Sequence, residues 1–103
     1  MKAMNLNQII GGKRYSTSAS VLLCGDNWWD GSNQERSGRN RYLYRSPRGI
    51  YFIETLTQWQ GEYDHLAPVT VDEARAFFED CDAHGMAVVE WAQAFPERVL
   101  EDA

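Results

Sequence analysis

The chain has 103 residues, 44 % of them hydrophobic and 24 % charged, which fits one folded domain and excludes a disordered chain. Two cysteines are too few for a disulfide framework, and neither a signal-peptide pattern in Met1–Ile10 nor a bilayer-length apolar run occurs, so a cytoplasmic protein with free thiols is expected. The net charge of −5 is unevenly spread: residues 1–50 hold eight Lys or Arg against three acids, and residues 51–103 hold two against twelve.

Ile9-Ile10-Gly11-Gly12 is a short apolar run stopped by a turn signal. In Lys13-Arg14-Tyr15-Ser16-Thr17, either hydroxyl residue can N-cap a short helix over Ala19–Cys24 closed by Gly25, although Val21-Leu22-Leu23 suits a strand equally. Residues 25–40 are rich in Gly, Asn, Asp and Ser and read as a loop, one that carries Trp28 and Trp29 side by side.

The strongest β signal is a hairpin. Arg41-Tyr42-Leu43-Tyr44-Arg45 and Ile50-Tyr51-Phe52-Ile53-Glu54 flank Ser46-Pro47-Arg48-Gly49, residues suited to a type I turn. A turn closed there sets Arg45 opposite Ile50, Tyr44 opposite Tyr51 and Leu43 opposite Phe52. Tyr42, Tyr44, Tyr51 and Ile53 then share one face, Leu43 and Phe52 the other, and both faces are apolar enough to be covered. A further short strand fits within residues 55–69.

Thr70 and Glu73 form a capping box, and Ala74, Phe77, Phe78 and Cys81 follow at helical spacing up to the stop at Gly85. Val88, Trp91, Ala92 and Phe95 repeat that spacing and predict a second helix ended at Pro96. The expected fold is α+β: a small antiparallel sheet, with its hairpin at about 41–56, packed against C-terminal helices at about 71–83 and 86–95.

The run Gly12-Lys13-Arg14-Tyr15-Ser16-Thr17, the segment Leu43-Tyr44-Arg45 with Gly49, Tyr51 and Phe52, and Pro68-Val69-Thr70 with Glu73-Ala74 resemble a family of small uncharacterised proteins of bacteria, phages and mobile elements. The likeness covers residues 11–82. Ser16 departs from the family's usual Asp, a Gly-rich stretch is replaced by residues 57–61, and residues 83–103 are an extra tail. The resemblance implies a mobile-element accessory protein, with no catalytic residues to carry over.

Four constellations compete. Cys24, His65, Cys81 and His84 include the ligand types of a zinc site, but Cys81 falls on the apolar stripe, so no metal or cofactor is expected. The acids fall on solvent faces of the helices, and no nucleophile elbow or phosphate loop occurs, so a small enzyme is kept only as an alternative reading. Arg36, Arg39, Arg41, Arg45 and Arg48 interleave with Tyr42 and Tyr44, an alternative arrangement for single-stranded nucleic acid that the negative total charge opposes.

The preferred reading is a non-enzymatic protein-binding module that blocks a host protein, with an anti-defence (anti-CRISPR) inhibitor of a nuclease complex as one form of it. Its anchors are Trp28, Trp29 and Trp59, and its charged rim is Glu79 and Asp82. For the segregated charge, one reading pairs the acidic helices with the basic segment inside the fold. The other leaves an acidic surface to imitate nucleic acid or to dock on a basic protein.

Overall fold

The computed structural model describes residues 4–26, 39–57 and 60–98. Six strands and two helices follow one another: β1 (Asn7–Ile10), β2 (Lys13–Ser16), β3 (Val21–Gly25), β4 (Arg39–Arg45), β5 (Tyr51–Thr57), β6 (His65–Val69), α1 (Val71–Ala83) and α2 (Trp91–Ala94). The fold is α+β as expected. An antiparallel sheet of order β3-β4-β5-β6 forms the middle layer, and β1 and β2 make a separate hairpin. No described helix is long and apolar enough to cross a membrane.

Gly11 and Gly12 both adopt positive φ, which allows a two-residue turn and sends Lys13–Ser16 back along Asn7–Ile10. The hydroxyl of Thr17 therefore does not cap a helix. It accepts the Leu6 N–H at 2.9 Å and donates to the Met4 carbonyl at 3.2 Å, closing the chain before β1 onto the chain after β2. Residues 21–25 take the strand alternative, paired with β4.

The central hairpin forms one residue out of the expected register. Arg45 pairs with Tyr51, Tyr44 with Phe52, Leu43 with Ile53 and Tyr42 with Glu54. Gly49 sits at φ +83°, its N–H donates to the Ser46 carbonyl at 2.9 Å, and the Ser46 N–H donates to the Ile50 carbonyl at 2.8 Å. The type I turn is thus followed by a left-handed glycine that adds one residue to the loop, and every β5 side chain changes face. Phe52 joins Tyr42 and Tyr44, and Tyr51 joins Leu43.

Both faces of the sheet are covered. Tyr42, Tyr44, Phe52, Leu56 and Leu66 pack with Tyr15 under the β1–β2 hairpin. On the other face Leu23, Cys24, Leu43 and Tyr51 pack with Ala74, Phe78, Cys81, Ala94 and Phe95. A bulge between Leu22 and Cys24 turns Leu22 to the first layer and both Leu23 and Cys24 to the second. Cys24 and Cys81 meet in that second layer as free thiols, and the Cys81 hydrogen bond together with burial pushes the Cys24 thiol far up.

α1 forms as its sequence predicts. Thr70 accepts the Glu73 N–H at 3.1 Å, and Glu73 accepts the Thr70 N–H at 3.0 Å. At the other end the Met86 N–H reaches the Cys81 carbonyl and the Gly85 N–H the Asp82 carbonyl, a Schellman close with Gly85 at φ +73°. The second predicted helix does not run from 86 to 95. Ala87 bridges to Cys24 and the Val88 N–H donates to the Leu23 carbonyl at 2.8 Å, so this stretch lies along β3. Only the single turn Trp91–Ala94 is helical. Val88 and Ala92, expected inside, are exposed.

Candidate functional site

Residues 86–91 leave α1 at the Schellman turn and run beside it toward α2. This makes a groove of about 750 Å³ between the helix and the returning chain, lined by Phe78, Glu79, Asp82, Val88, Glu90 and Trp91 among others. α1 buries Ala74, Phe78 and Cys81 on the sheet. Glu79 and Asp82, three residues apart, share its solvent side and form one wall. The other wall is built from Val88, which is 62 % exposed, and the half-buried Trp91.

Trp91 is held on both sides. Its ring meets Phe78 edge-on at 6.2 Å and lies 4.8 Å from Phe95, and its Nε1–H donates to the Arg98 carbonyl at 2.9 Å. Phe95 stacks on Tyr51 at 5.1 Å, and the Tyr51 hydroxyl donates to the Ala94 carbonyl at 2.6 Å. The short helix is therefore fixed to the sheet by aromatic contacts rather than by its own length. At its start the Glu90 N–H donates to Gln93 Oε1 at 3.1 Å.

The groove is negative on both sides. Glu79 and Asp82 on one wall face Glu90 on the other, and the last turn of α1 contains no basic residue to offset its partial negative end. An apolar floor with an acidic rim suits a cationic side chain or a basic peptide segment.

Of the expected partner residues, Glu79 and Asp82 are brought to this groove, whereas Trp28, Trp29 and Trp59 lie outside the described residues. Trp91, Val88 and Glu90 were not among the expected site residues. They sit in an apolar stretch whose spacing reads as one buried helix, whereas Val88 is held along β3 by its N–H bond to Leu23, Glu90 caps the single turn of α2, and Trp91 is half-buried against the core.

The arginine–tyrosine group divides. Tyr42 and Tyr44 are 3 % and 5 % exposed and pack inside the first layer, so neither ring offers a stacking surface. Tyr44 stacks on Phe52 at 5.4 Å, and burial together with the neighbouring Glu54 pushes its hydroxyl pKa up. Arg41 is occupied by buried Asp26, which accepts its backbone N–H at 2.7 Å and its Nε at 3.3 Å, while its guanidinium lies 5.1 Å from the Phe77 ring centre. Of Arg39 the backbone alone is described, paired with Thr57. Arg36 lies outside the described residues. Arg45 and Arg48 remain at the hairpin turn.

The metal ligand types do not assemble. Cys24 and Cys81 are buried together, but His84 is on the surface, bonded to the Asp80 carbonyl, and His65 is exposed beside the Tyr63 carbonyl. No group of three or more such ligands exists among the described residues.

Fold and groove together define a three-layer α+β domain with an acidic, aromatic-floored cleft. Compared with protein-family models, with curated proteins and with solved structures, the chain matches none.

Proposed function

We propose that the chain is a non-catalytic protein-binding module that blocks a host protein by docking a basic segment of it in the α1 groove. The observation that carries this reading is the facing of Glu79 and Asp82 against Glu90 across a groove also lined by Phe78 and Trp91. Charge complementarity selects the occupant: a stretch with Lys or Arg on either side of an apolar anchor, of the kind found on nucleic-acid-facing surfaces of nucleases. An inhibitor of a defence nuclease fits that chemistry, and the likeness to mobile-element proteins gives it a biological setting.

The test is capture of a partner from bacterial lysate by the wild-type chain, followed by affinity measurements on variants whose folding is checked by circular dichroism. The double reversal Glu79→Lys, Asp82→Lys should slow association and weaken binding at least tenfold, with a reduced salt dependence. Trp28→Ala and Trp29→Ala serve as the comparison, because a true anchor loses about 2 kcal/mol on truncation, roughly thirtyfold in affinity. A charge-reversed protein that folds and binds as tightly as wild type sinks the groove. Loss confined to the tryptophan variants transfers the interface to the 26–33 segment.

A further inference from the structure

The other end of the molecule carries the opposite charge. The hairpin turn at 46–49 overlies a pocket of about 340 Å³ whose walls include Arg45, Arg48, Tyr51, Val71, Phe95 and Arg98. Arg45 packs its guanidinium over Gly49, where a Cβ would come within 3.2 Å of Nη2, so the glycine that sets the hairpin register also makes room for the arginine. The Nε of Arg45 is buried and has no hydrogen-bond partner. A buried charged donor left unpaired is costly, on the order of 1–3 kcal/mol or more, and natural structures satisfy such a group with water, an ion or a ligand.

Among the described residues, no ion pair supplies the counter-charge to Arg45 or Arg48. Glu97 also lines the pocket without pairing to either, and Arg98 is partly neutralised by Asp72 at 3.4 Å. Two unpaired guanidinium groups beside one another match a dianion that accepts several forked hydrogen bonds, which is phosphoryl chemistry more than carboxylate chemistry. The volume falls at the low end of small-molecule sites, about 300–1,000 Å³, and the Tyr51, Val71, Phe95 and Pro96 side of the pocket offers apolar surface for an organic portion.

We propose that this pocket binds the phosphoryl group of a small organic phosphate, held by Arg45 and Arg48 with Arg98 at the rim. A free phosphate ester is favoured over the backbone of a nucleic acid. The tyrosines that would stack bases, Tyr42 and Tyr44, are buried on the opposite face of the sheet. The site is separate from the acidic groove, and its occupancy is independent of whether that groove docks a protein.

Amide chemical shifts of the full chain, titrated with inorganic phosphate, with adenosine monophosphate and with a single-stranded octanucleotide, test it. Saturating shifts at Gly49, Val71 and Glu97 with phosphate and the nucleotide are expected, at a Kd of about 1 mM or tighter. Arg48→Gln, on an exposed turn, should weaken both about tenfold, Arg45→Gln should weaken them further, and Lys13→Gln in the neighbouring pocket should change neither. If Arg45→Gln does not fold, Arg48→Gln decides alone. No saturation by phosphate or nucleotide up to about 10 mM overturns the proposal, as do shifts unchanged in Arg48→Gln. Binding of the octanucleotide alone overturns it in favour of a nucleic-acid backbone.

Discussion

Glu54 lies on β5 with no exposed surface, between the Met4 N–H at 3.3 Å and the Tyr44 hydroxyl at 3.5 Å, both directed at Oε1. Its Oε2 has no partner. Desolvation raises its pKa, Asp64 adds to the rise, and the Met4 and Tyr44 hydrogen bonds only partly offset it. A carboxyl whose folded pKa exceeds its unfolded one holds a proton that unfolding releases. Stability from this group is therefore greatest below the ordinary glutamate pKa and declines as pH rises through the folded value. Glu73 runs the other way: the Thr70 hydrogen bonds lower its pKa, so its stabilisation is present above the ordinary range and is lost as pH falls through the folded value. Glu54→Gln keeps an acceptor for Met4 and removes the charge. The variant should match wild type at about pH 4 and melt higher at about pH 8, with the gap opening between. A gap independent of pH in paired thermal melts would show that the carboxyl titrates normally.

At the scale of elements, α1 was the easiest to read and β5 shows why reading has a limit. The capping box, the apolar stripe and Gly85 are local signals that agree with one another, and all three form. They also rank two neighbouring rings. Phe78 is 3 % exposed within the aromatic cluster, whereas Phe77 is half-buried under the Arg41 guanidinium. Phe78→Ala should cost about 3–5 kcal/mol in denaturant titrations and Phe77→Ala clearly less, with Thr70→Ala at about 1 kcal/mol through the lost cap. Equal losses at both phenylalanines would contradict this packing. The hairpin existed where its turn residues placed it, yet Gly49 in a left-handed conformation lengthened the loop by one residue and exchanged the faces of Tyr51 and Phe52. Composition at Ser46-Pro47-Arg48-Gly49 suits both loop lengths. Residues 86–90 failed differently: their spacing is helical, but the bridge from Ala87 to Cys24 is a pairing sixty-three residues apart that no local pattern carries. Half of the groove was legible for the same reason. Glu79 and Asp82 follow from helix periodicity, while Trp91 and Glu90 depend on where the returning chain lies.

Among the described residues, the charge division written along the chain is kept. The Arg41–Asp26 pair stays within the N-terminal half, and the Arg75–Asp72 and Arg98–Asp72 pairs stay within the C-terminal half, so these contacts do not cancel basic segment against acidic helix. Lys13, Arg14 and Arg48 line one pocket at the hairpin turn, Arg45, Arg48 and Arg98 the next, and Glu79, Asp82 and Glu90 the groove beside α1. Among the described residues, a nucleic acid approaching these pockets meets arginines without Tyr42 or Tyr44, whose rings are buried, while the net charge of −5 opposes its approach to the rest. Contact with the three arginines of the hairpin pocket alone would release counterions with a log–log salt slope of about −2 for a single strand. Binding of single- or double-stranded oligonucleotides should therefore be weaker than about 1 μM at physiological salt, and any low-salt binding should fade along that shallow slope. Fluorescence anisotropy at two salt concentrations decides it. A sub-micromolar Kd with a slope several times steeper would mean that many more phosphates are engaged than these arginines can reach, and the acidic groove would then have to be a secondary feature of a nucleic-acid-binding protein.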